Sequence, residues 1–388
     1  MMKNKKKGYI PINEFYKAYF QCRRRKRNTV NALRFEENYE EELRKLWKEV
    51  NEGTYQIGKS IAFIVTRPKV REVFAADFRD RIVHHVIINK LKKHMEEDFI
   101  DDCYSCRDGK GTDYGIKRLD EKITKLSQCY TKDIWVGKFD IRGFFMSINK
   151  NILWYMLEEY IQKVYVGPDK RTLLRITKQV VLHSPEKNCI RKSPKWMWKK
   201  LPKNKSLFTC DPSCGLPIGN LTSQWFANFY MMYFDREMEK MFDGYYGRYV
   251  DDFYVLCTDK EYIKEQLPWI EDYLKNHLGL ELHPDKRYIQ PYWNGIKFTG
   301  TYIKRGRWYM GNETRSNFLQ AINAFNHKEK NWENAETFVS VLNSYLGFAV
   351  GKDSLNVRRH AISLISPEWE PYLTMKGNKK GVFFQLKK

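Results

Sequence analysis

The chain has 388 residues, 42% hydrophobic and 15% aromatic, and its 69 lysines and arginines outnumber 47 acidic residues, giving a formal net charge of +22. It is long enough for two or three subdomains, and its charge favours a polyanionic partner. The aromatic content favours a nucleic-acid enzyme or a single-strand binder over a disordered basic tail, because bases stack on aromatic rings. No apolar run approaches the roughly eighteen residues of a membrane span, and the basic start lacks the apolar segment of a secretory signal.

Eight cysteines are scattered along the chain, a low density that is typical of a reducing cytoplasm. Two close pairs, Cys103 with Cys106 and Cys210 with Cys214, could supply four zinc ligands. Their separation is far wider than in compact zinc modules, so reduced core or loop thiols are the simpler interpretation. The sequence leaves the zinc question open.

The N-terminal region is predicted to be helical over residues 13–50, with Asn13 as the N-cap. A run of consecutive cations lies within it, and such a run favours phosphate contact over an ordinary solvated face. The candidate nucleic-acid-binding residues of this run are Arg23, Arg24 and Arg25.

Residues 60–74 are typical of two short strands around a basic turn at 67–69, and residues 77–95 are typical of a helix. The glycine-rich stretch 107–112 would bring backbone amides and a lysine near phosphates, but it lacks the spacing of a P-loop. The candidate nucleic-acid-binding residues of this stretch are Arg107 and Lys110.

Residues 134–148 predict a buried strand that breaks near Gly143, with Asp140 as a charge in an otherwise apolar run. A buried carboxylate must be paired or bind a metal, although a single hydrogen-bonded core aspartate is the alternative. Residues 184–208 resemble an insertion rich in lysine, proline and tryptophan, which suits either a nucleic-acid surface or a loop clamped onto the core. The candidate nucleic-acid-binding residues of the insertion are Lys199, Lys200 and Lys203.

The second half of the chain begins with a glycine and proline loop that turns into a helix over 214–234. A charged amphipathic helix is predicted over 261–279. A strand pair is predicted across Asn294-Gly295, followed by mostly helical structure over 313–366. No internal repeat or flexible linker interrupts the chain, so we expect tightly packed subdomains.

The run RYVDDFYVL, residues 248–256, predicts strand, tight turn and strand, with Asp251 and Asp252 on the turn. Two ionised carboxylates so close repel by about 4 kcal/mol at an effective dielectric near 20, and a divalent cation removes that repulsion. An isolated acidic pair in a turn is ordinarily a solvated hairpin, but here Asp140 offers a third carboxylate. Three carboxylates from two segments can hold two Mg²⁺ ions about 3.5 to 4 Å apart, as in-line phosphoryl transfer requires, and Mn²⁺ can substitute.

Seven sequence blocks follow one another in the order found in reverse transcriptases, and the chain resembles that family over most of its length. The blocks are REVFAADFRDRIVHH, YSCRDGKGT, KFDIRGFFMSI, GLPIGNLTSQ, RYVDDFYVL, LGLELHPDK and GIKFTG. The loop IGNLTSQ is more specific, because most members have Gln-Gly where this chain has Ile218-Gly219, and Ser-Pro where it has Ser223-Gln224. This loop and the preceding insertion are similar to the reverse transcriptases of bacterial diversity-generating retroelements.

The resemblance implies a role for each matched position. Asp140, Asp251 and Asp252 would bind the metal ions, and Lys286 would lie near the leaving group as a general acid. Phe145 would be the steric gate against a 2′-hydroxyl, which requires the strand to bend after Asp140. The positions implied to contact the incoming dNTP are Lys69, Arg71, Phe145, Ile218, Gly219 and Gln224. The isoleucine replaces a glutamine that packs by the nascent base pair, and we connect this change with low fidelity opposite template adenines.

The resemblance also implies the fold and its divisions. We expect an α/β (α+β) right-hand polymerase with fingers over 1–135, a palm of antiparallel sheet plus helices over 136–305, and a helical thumb over 306–388. In the primer-grip block, Thr299 stands where the family usually has leucine. No RNase H, maturase or endonuclease segment is expected.

The expected activity is RNA-directed DNA synthesis, with error-prone cDNA of a retroelement template RNA as the product. The expected partners are an RNA template, a DNA or RNA primer, dNTPs and a small basic accessory protein. We expect a cytoplasmic protein of bacterial or phage origin, without membrane contact. Two alternatives remain, a reverse transcriptase of antiphage defence with a dedicated noncoding RNA, and a nucleic-acid-binding protein that uses the fold without catalysis.

Overall fold

The computed structural model describes residues 8–24, 29–66, 69–378 and 381–387. The helices are α1 (Ile12–Arg23), α2 (Val30–Glu37), α3 (Tyr39–Glu52), α4 (Phe78–Asp98), α5 (Thr112–Leu126), α6 (Phe144–Ser147), α7 (Lys150–Val164), α8 (Lys170–Leu182), α9 (Lys195–Trp198), α10 (Leu221–Tyr230), α11 (Met232–Met241), α12 (Lys260–Leu278), α13 (Asn312–Asn326), α14 (Trp332–Ala349) and α15 (Leu355–Ser363). The strands are β1 (Ser60–Val65), β2 (Arg71–Ala75), β3 (Trp135–Asp140), β4 (Cys189–Arg191), β5 (Tyr246–Tyr249), β6 (Asp252–Cys257), β7 (Tyr288–Pro291), β8 (Ile296–Phe298), β9 (Thr301–Lys304), β10 (Arg307–Met310), β11 (Leu373–Asn378) and β12 (Gly381–Leu386). Within these ranges no helix combines the length and the apolar character needed to cross a membrane.

The described strands form four small sheets. One sheet has the order β2-β1-β4, a second has the order β5-β6-β3-β7, a third has the order β10-β9-β8, and β11 pairs with β12. The β1–β2, β5–β6, β8–β9 and β9–β10 pairs are antiparallel, whereas β1 runs parallel to β4. The predicted class of antiparallel sheet combined with helices is therefore confirmed.

The predicted β5–β6 hairpin forms, but its turn lies one residue earlier than predicted, because Asp252 already belongs to β6. Tyr249 pairs with Asp252, so that Val250 and Asp251 are the two residues of the turn. The residues that follow the turn, from Phe253 to Leu256, are all buried. A strand that is covered on both faces needs a continuous apolar run rather than alternation, which explains the sequence FYVL.

The bend after β3 depends on Gly143. Its φ is +58°, in the left-handed region that glycine enters at little cost, and α6 begins at the next residue. A side chain at this position would place its Cβ only 2.9 Å from the carbonyl oxygen of Asn204. Both the conformation and the close approach require glycine, and they end the strand shortly after Asp140.

Two predicted boundaries are wrong. The region 13–50 contains three helices, and Asn13 lies inside the first of them, which begins at Ile12 after Pro11. A proline just before the helix supplies the extended φ and ψ that the prediction assigned to an asparagine. The second helix ends at Glu37, because the φ of the next residue, Asn38, is −134° and is not helical.

The predicted hairpin turn at Asn294-Gly295 is also displaced. Residues Tyr292–Asn294 form a 3₁₀ turn, and β8 pairs with β9 around Thr299 and Gly300 instead. These two residues have φ values of +47° and +82°. Positive φ at both central positions is the backbone twist that tight hairpins require, so local geometry overrides the usual Asn-Gly signal.

The chain divides into two compact units. The first comprises Met1–Gly111, Lys138–Val255 and Glu261–Arg287, and the second comprises Thr112–Gly137, Leu256–Lys260 and Tyr288–Lys388. All the candidate metal-binding aspartates lie in the first unit. The core of the second unit joins α13, α14 and α15 to the β11–β12 hairpin through buried aromatic side chains, which include Phe318, Phe325, Phe338, Trp369 and Phe384.

The insertion 184–208 is fastened to β2 by one buried carboxylate. Glu72 is 1% exposed and accepts hydrogen bonds from Trp198 Nε1 at 2.6 Å, from Ser206 Oγ at 2.6 Å and from the Leu207 backbone N–H at 2.7 Å. Because a buried carboxylate needs such donors, the contact explains both the burial of Glu72 and the path of the insertion. This part of the insertion is therefore a loop clamped onto the core.

Replacing Glu72 with glutamine should loosen the insertion. The amide nitrogen is itself a donor and cannot accept, so at least one of the three donors would lose its partner. We therefore expect the free energy of unfolding to fall by about 1 to 3 kcal/mol. Trypsin should also cleave the lysine-rich insertion faster in Glu72→Gln than in the wild type. The exposed Glu52→Gln variant is the control with the same chemical change, and an equal effect in both variants would contradict the clamp.

Candidate active site

The three aspartates lie where two adjacent strands end. Asp140 is the last residue of β3, Asp251 lies on the hairpin turn, and Asp252 begins β6. The strands are neighbours in their sheet, and the Ile141 backbone N–H donates to the carbonyl oxygen of Asp251 at 3.0 Å. The structure thus brings the turn against the end of β3, as the sequence requires.

Strand alternation determines which face each side chain occupies. Phe139 packs against Phe253 with ring centroids 5.2 Å apart, on the core face of the sheet. Their neighbours in sequence therefore point to the opposite face. On that face the ammonium group of Lys138 contacts the carboxylate of Asp252, and Asp140 lies two positions after the lysine on the same strand.

The electrostatic environment of Asp251 reflects its neighbours. Burial raises the pKa of Asp251, and the nearby carboxylate of Asp140 raises it further. The positive charges of Lys286 and Arg71 act in the opposite direction and lower the pKa. The Asp140–Asp251 pair is therefore a place where negative charge is costly and where added positive charge stabilises the ionised form.

Lys286 reaches the site because its segment runs along the end of β3. The backbone N–H of Arg142 donates to the Glu281 carbonyl at 2.8 Å, and that of His283 donates to the Asp140 carbonyl at 2.7 Å. These bonds place the Lys286 ammonium 2.9 Å from Oδ1 of Asp140. The lysine side chain is about half exposed, so it remains accessible from solvent.

The donor set suits divalent cations at the Asp140–Asp251 pair. Oxygen ligands are what Mg²⁺ and Mn²⁺ prefer, and a bound cation would favour the ionised form of Asp251, whose pKa is raised by burial and by Asp140. Across the described ranges no three His, Cys, Asp or Glu side chains are gathered around one metal position. The third carboxylate, that of Asp252, is instead in contact with the ammonium group of Lys138.

Two of the residues implied to contact the nucleotide meet in one apolar cluster. Phe145 and Ile218 pack, partly buried, against a core of Ala62, Phe74, Met146 and Leu207. The loop carrying Ile218 is fixed to β2, because the Phe74 backbone N–H donates to the Ile218 carbonyl at 2.8 Å.

Gly219 permits the same loop to approach β2 closely. Its φ is +118°, and a Cβ there would lie 2.8 Å from Cγ1 of Val73. The other positions implied to contact the nucleotide, Lys69, Arg71 and Gln224, are exposed. They are accessible on the surface of the first unit, and the charge of Arg71 lowers the pKa of Asp251.

Several cations predicted to bind nucleic acid are engaged within the protein. Arg23 Nε lies 2.5 Å from Oε1 of Glu36, and Lys110 Nζ lies 2.7 Å from Oδ1 of Asp101. Arg107 is only 9% exposed, and its guanidinium contacts Glu96 and the Ile100 and Cys103 carbonyls. Contacts of this kind support the fold and leave these side chains little freedom to reach a phosphate.

Other cations predicted to bind nucleic acid are exposed, and these are Arg24, Lys199, Lys200 and Lys203. Arg25 lies outside the described residues.

The cysteine pairs do not form a zinc site in the described ranges. Cys103 is buried beside Nη2 of Arg248, at 3.4 Å, and burial raises the pKa of its thiol to about 11. Cys210 contacts the carbonyl oxygens of Leu207 and Cys214. These are the contacts of reduced core and loop thiols.

Sequence reasoning missed three charged residues of the site. Lys138 could have been found, because it lies two positions before Asp140 on a strand and therefore shares its face. Arg248 is visible as a charge inside the apolar run RYVDDFYVL, which indicates a buried partner. Its partner Asp235 carries no signal, because it lies on α11 in an ordinary amphipathic pattern.

Comparison with known proteins identifies the family. Residues 66–303, more than half of the chain, match the family described as reverse transcriptase (RNA-dependent DNA polymerase). The chain belongs to the reverse transcriptase family. The matched range contains all three aspartates, and members of the family use divalent metal ions.

Two solved structures are similar over part of their length. A telomerase from Candida albicans, in complex with a TWJ fragment of telomeric RNA, covers 86% of this chain at 11% identity with a TM-score of 0.46. An apo telomerase from Candida tropicalis, truncated from its C-terminal domain, covers 66% at 12% identity with a TM-score of 0.46. The reverse transcriptase chain spans 60% and 55% of those two chains. No curated protein sequence matches it.

The two lysines that pair with the aspartates should differ in their effect on stability. Lys138→Met keeps the alkyl stem but leaves a partly buried Asp252 without its counter-charge, so we expect a loss of about 1 to 3 kcal/mol in the free energy of unfolding. Lys286→Met removes an exposed lysine and should cost less than about 1 kcal/mol. Urea unfolding followed by tryptophan fluorescence measures both.

Divalent cations provide a second readout of the same pair. Adding Mg²⁺ should raise the melting temperature of Lys138→Met more than that of the wild type, because the added cation then supplies the charge that the lysine supplied. Equal stability losses in the two lysine variants, together with equal responses to Mg²⁺, would show that Lys138 does not hold Asp252.

Proposed function

We propose that this reverse transcriptase extends a primer 3′-hydroxyl with dNTPs on an RNA template, with Asp140, Asp251 and Asp252 as the ligands of two Mg²⁺ ions. The observation that carries the proposal is the placement of Asp140 beside Asp251 at adjoining strand ends, where burial and, after it, the Asp140 carboxylate raise the pKa of Asp251. Family membership supplies the class of reaction, and the carboxylates supply the oxygen ligands that it needs.

The mechanism assigns a separate task to each group of residues. When bound, the divalent cations would lower the pKa of the primer hydroxyl and stabilise the negative charge of the triphosphate. Asp140 and Asp251 would hold one position, and Asp252 would contribute once its carboxylate exchanges the Lys138 contact for the site. Lys286, half exposed beside Asp140, would give a proton to the departing pyrophosphate.

The nucleotide pocket is proposed on the apolar cluster of the first unit. Phe145 and Ile218 would pack against the sugar and the nascent base pair. Both are partly buried in the same cluster, and the Ile218 carbonyl is bonded to β2 through the Phe74 N–H. Arg71, at the start of that strand, would meet the triphosphate together with Lys69. The exposed lysines of the insertion would contact the template or primer backbone, since Lys200 already lies 4.8 Å from the exposed ring of Trp196.

Ile218 supports the retroelement type of reverse transcriptase as the finer assignment. Its side chain lies in an apolar cluster rather than at a polar contact. The loop would therefore contact the base pair through its shape and form few hydrogen bonds with it. Reduced polar contact weakens discrimination between bases, which suits error-prone copying of a template RNA. A small basic accessory protein is part of this proposal.

Replacing the carboxylates of Asp251 and Asp252 with amides should abolish synthesis. The Asp251→Asn plus Asp252→Asn variant keeps the shape of the turn but loses the charge, so we expect primer extension on RNA with Mg²⁺ to fall at least about a thousandfold, or about 4 kcal/mol in the barrier. The control is Glu158→Ala plus Glu159→Ala, which removes two adjacent exposed acids from α7. Retained synthesis in the aspartate variant would refute the site.

Restoring a glutamine at position 218 should change fidelity more than rate. In Ile218→Gln we expect misincorporation opposite template adenines to decrease about threefold or more, because the amide adds a polar contact beside the base pair. Sequencing of cDNA made on a defined RNA template measures the error spectrum, and Ile218→Leu serves as the apolar control. An unchanged error rate at adenines in Ile218→Gln would remove the link between this residue and retroelement copying.

A further inference from the structure

The turn that carries the acidic pair contains an unusual backbone conformation. Val250, the first residue of the turn, has a φ of +62°. A β-branched side chain rarely adopts the left-handed region, because its Cβ crowds the backbone there. A residue held in this way persists only where its surroundings enforce it.

One buried side chain contacts this strained residue directly. Nη1 of Arg248 donates to the carbonyl oxygen of Val250 at 2.8 Å. The arginine is 0% exposed, and two of its other donors meet the carboxylate of Asp235, with Nε 2.7 Å from Oδ1 and Nη2 2.5 Å from Oδ2. Longer contacts join Nη2 to Sγ of Cys103 at 3.4 Å and Nη1 to Oδ1 of Asn228 at 3.5 Å. Burial opposes the charge of Arg248, but the Asp235 carboxylate raises the pKa of the guanidinium above its ordinary value, so it stays charged.

The anchor of this guanidinium is itself fixed. Asp235 is 2% exposed on α11 and accepts a hydrogen bond from the hydroxyl of Tyr246 at 2.6 Å. On the backbone, the Arg248 N–H donates to the Asp102 carbonyl at 2.9 Å, and the Tyr104 N–H donates to the Arg248 carbonyl at 3.0 Å. The guanidinium is planar and rigid. Because Nε and Nη2 are both fixed on the Asp235 carboxylate, the direction of Nη1 is fixed as well.

The contact is made at the peptide that determines where the carboxylates point. The carbonyl of Val250 and the N–H of Asp251 belong to one planar peptide group, so holding that carbonyl sets the position of the Asp251 Cα. The next carbonyl, that of Asp251, accepts the Ile141 N–H at 3.0 Å. Two successive carbonyls of the turn are therefore held, one from β5 and one from the end of β3.

We propose that Arg248, anchored by Asp235, is a positioning residue that holds Val250 in the left-handed conformation and thereby aims the Asp251 and Asp252 carboxylates. The inference rests on the proposed function, in which those carboxylates are the metal ligands. A buried guanidinium needs partners for all of its donors, and the Asp235 carboxylate leaves Nη1 without one. Nη1 makes its shorter hydrogen bond, 2.8 Å against 3.5 Å to Oδ1 of Asn228, with the strained residue that immediately precedes the acidic pair.

Arg248→Lys is the first test, because lysine keeps the charge beside Asp235 but cannot bond the carboxylate and the Val250 carbonyl in one fixed fork. We expect kcat for primer extension to fall at least about tenfold, while KM for dNTP and for primer–template stays within about threefold. Cooperative thermal unfolding should be retained. A wild-type kcat in a folded Arg248→Lys protein would overturn the proposal.

A rescue experiment separates positioning from a general structural role. Glycine enters the left-handed region freely and alanine does not, and both remove the valine side chain. The loss of kcat caused by Arg248→Lys should therefore shrink by about fivefold or more in the Val250→Gly background and stay unchanged in the Val250→Ala background. Equal losses in the two backgrounds would overturn the proposal.

A substitute variant covers the case in which Arg248→Lys does not fold. Asp235→Glu keeps both charges but displaces the guanidinium. It is combined with Val250→Gly and with Val250→Ala in the same way, and we expect the loss of kcat to shrink in the glycine background alone. The outcome is distinguishable from failure of the proposed function, because synthesis retained by Asp251→Asn plus Asp252→Asn would remove the site itself. Failure of the glycine rescue would leave that site in place and remove only the role of Arg248.

Discussion

The site depends on one electrostatic constraint, which is that carboxylates held at the ends of two adjacent strands repel one another. Burial raises the pKa of Asp251, and the neighbouring carboxylate of Asp140 raises it further. The protein offsets this repulsion with cations, since Lys286 forms an ion pair with Asp140 and Lys138 forms one with Asp252. The divalent ions used by this family would enter a position that local lysines have neutralised only in part.

The same constraint explains why the backbone around the turn is held so firmly. Repelling carboxylates would push a flexible turn apart, whereas here the Val250 and Asp251 carbonyls each accept a hydrogen bond from a separate strand. Further along the first unit, Glu72 fastens the insertion to β2, the strand that also carries Arg71. Segments far apart in sequence are thus joined around the candidate nucleotide pocket by buried charges with complete sets of partners.

Much of this arrangement was predictable because it depends on local chemistry. The β5–β6 hairpin and the break at Gly143 follow from turn propensity and from the conformational freedom of glycine. The meeting of Asp140 with the turn followed from the resemblance of ordered sequence blocks rather than from any single residue. The displaced hairpin at Thr299 shows the limit, because a tight turn forms where the backbone can adopt positive φ at both positions and not simply at the strongest local motif.

By itself the sequence determined the family and indicated the candidate acidic residues and the strands that carry them, since composition, spacing and block order are properties of the chain. Only the tertiary structure decided which charges pair, because a buried ion needs a partner whatever its distance along the chain. Arg107 looked like a phosphate ligand and is engaged by Glu96, while Trp198 is clamped and Trp196 is exposed. Partner choice depends on packing across the fold, and no local pattern records it.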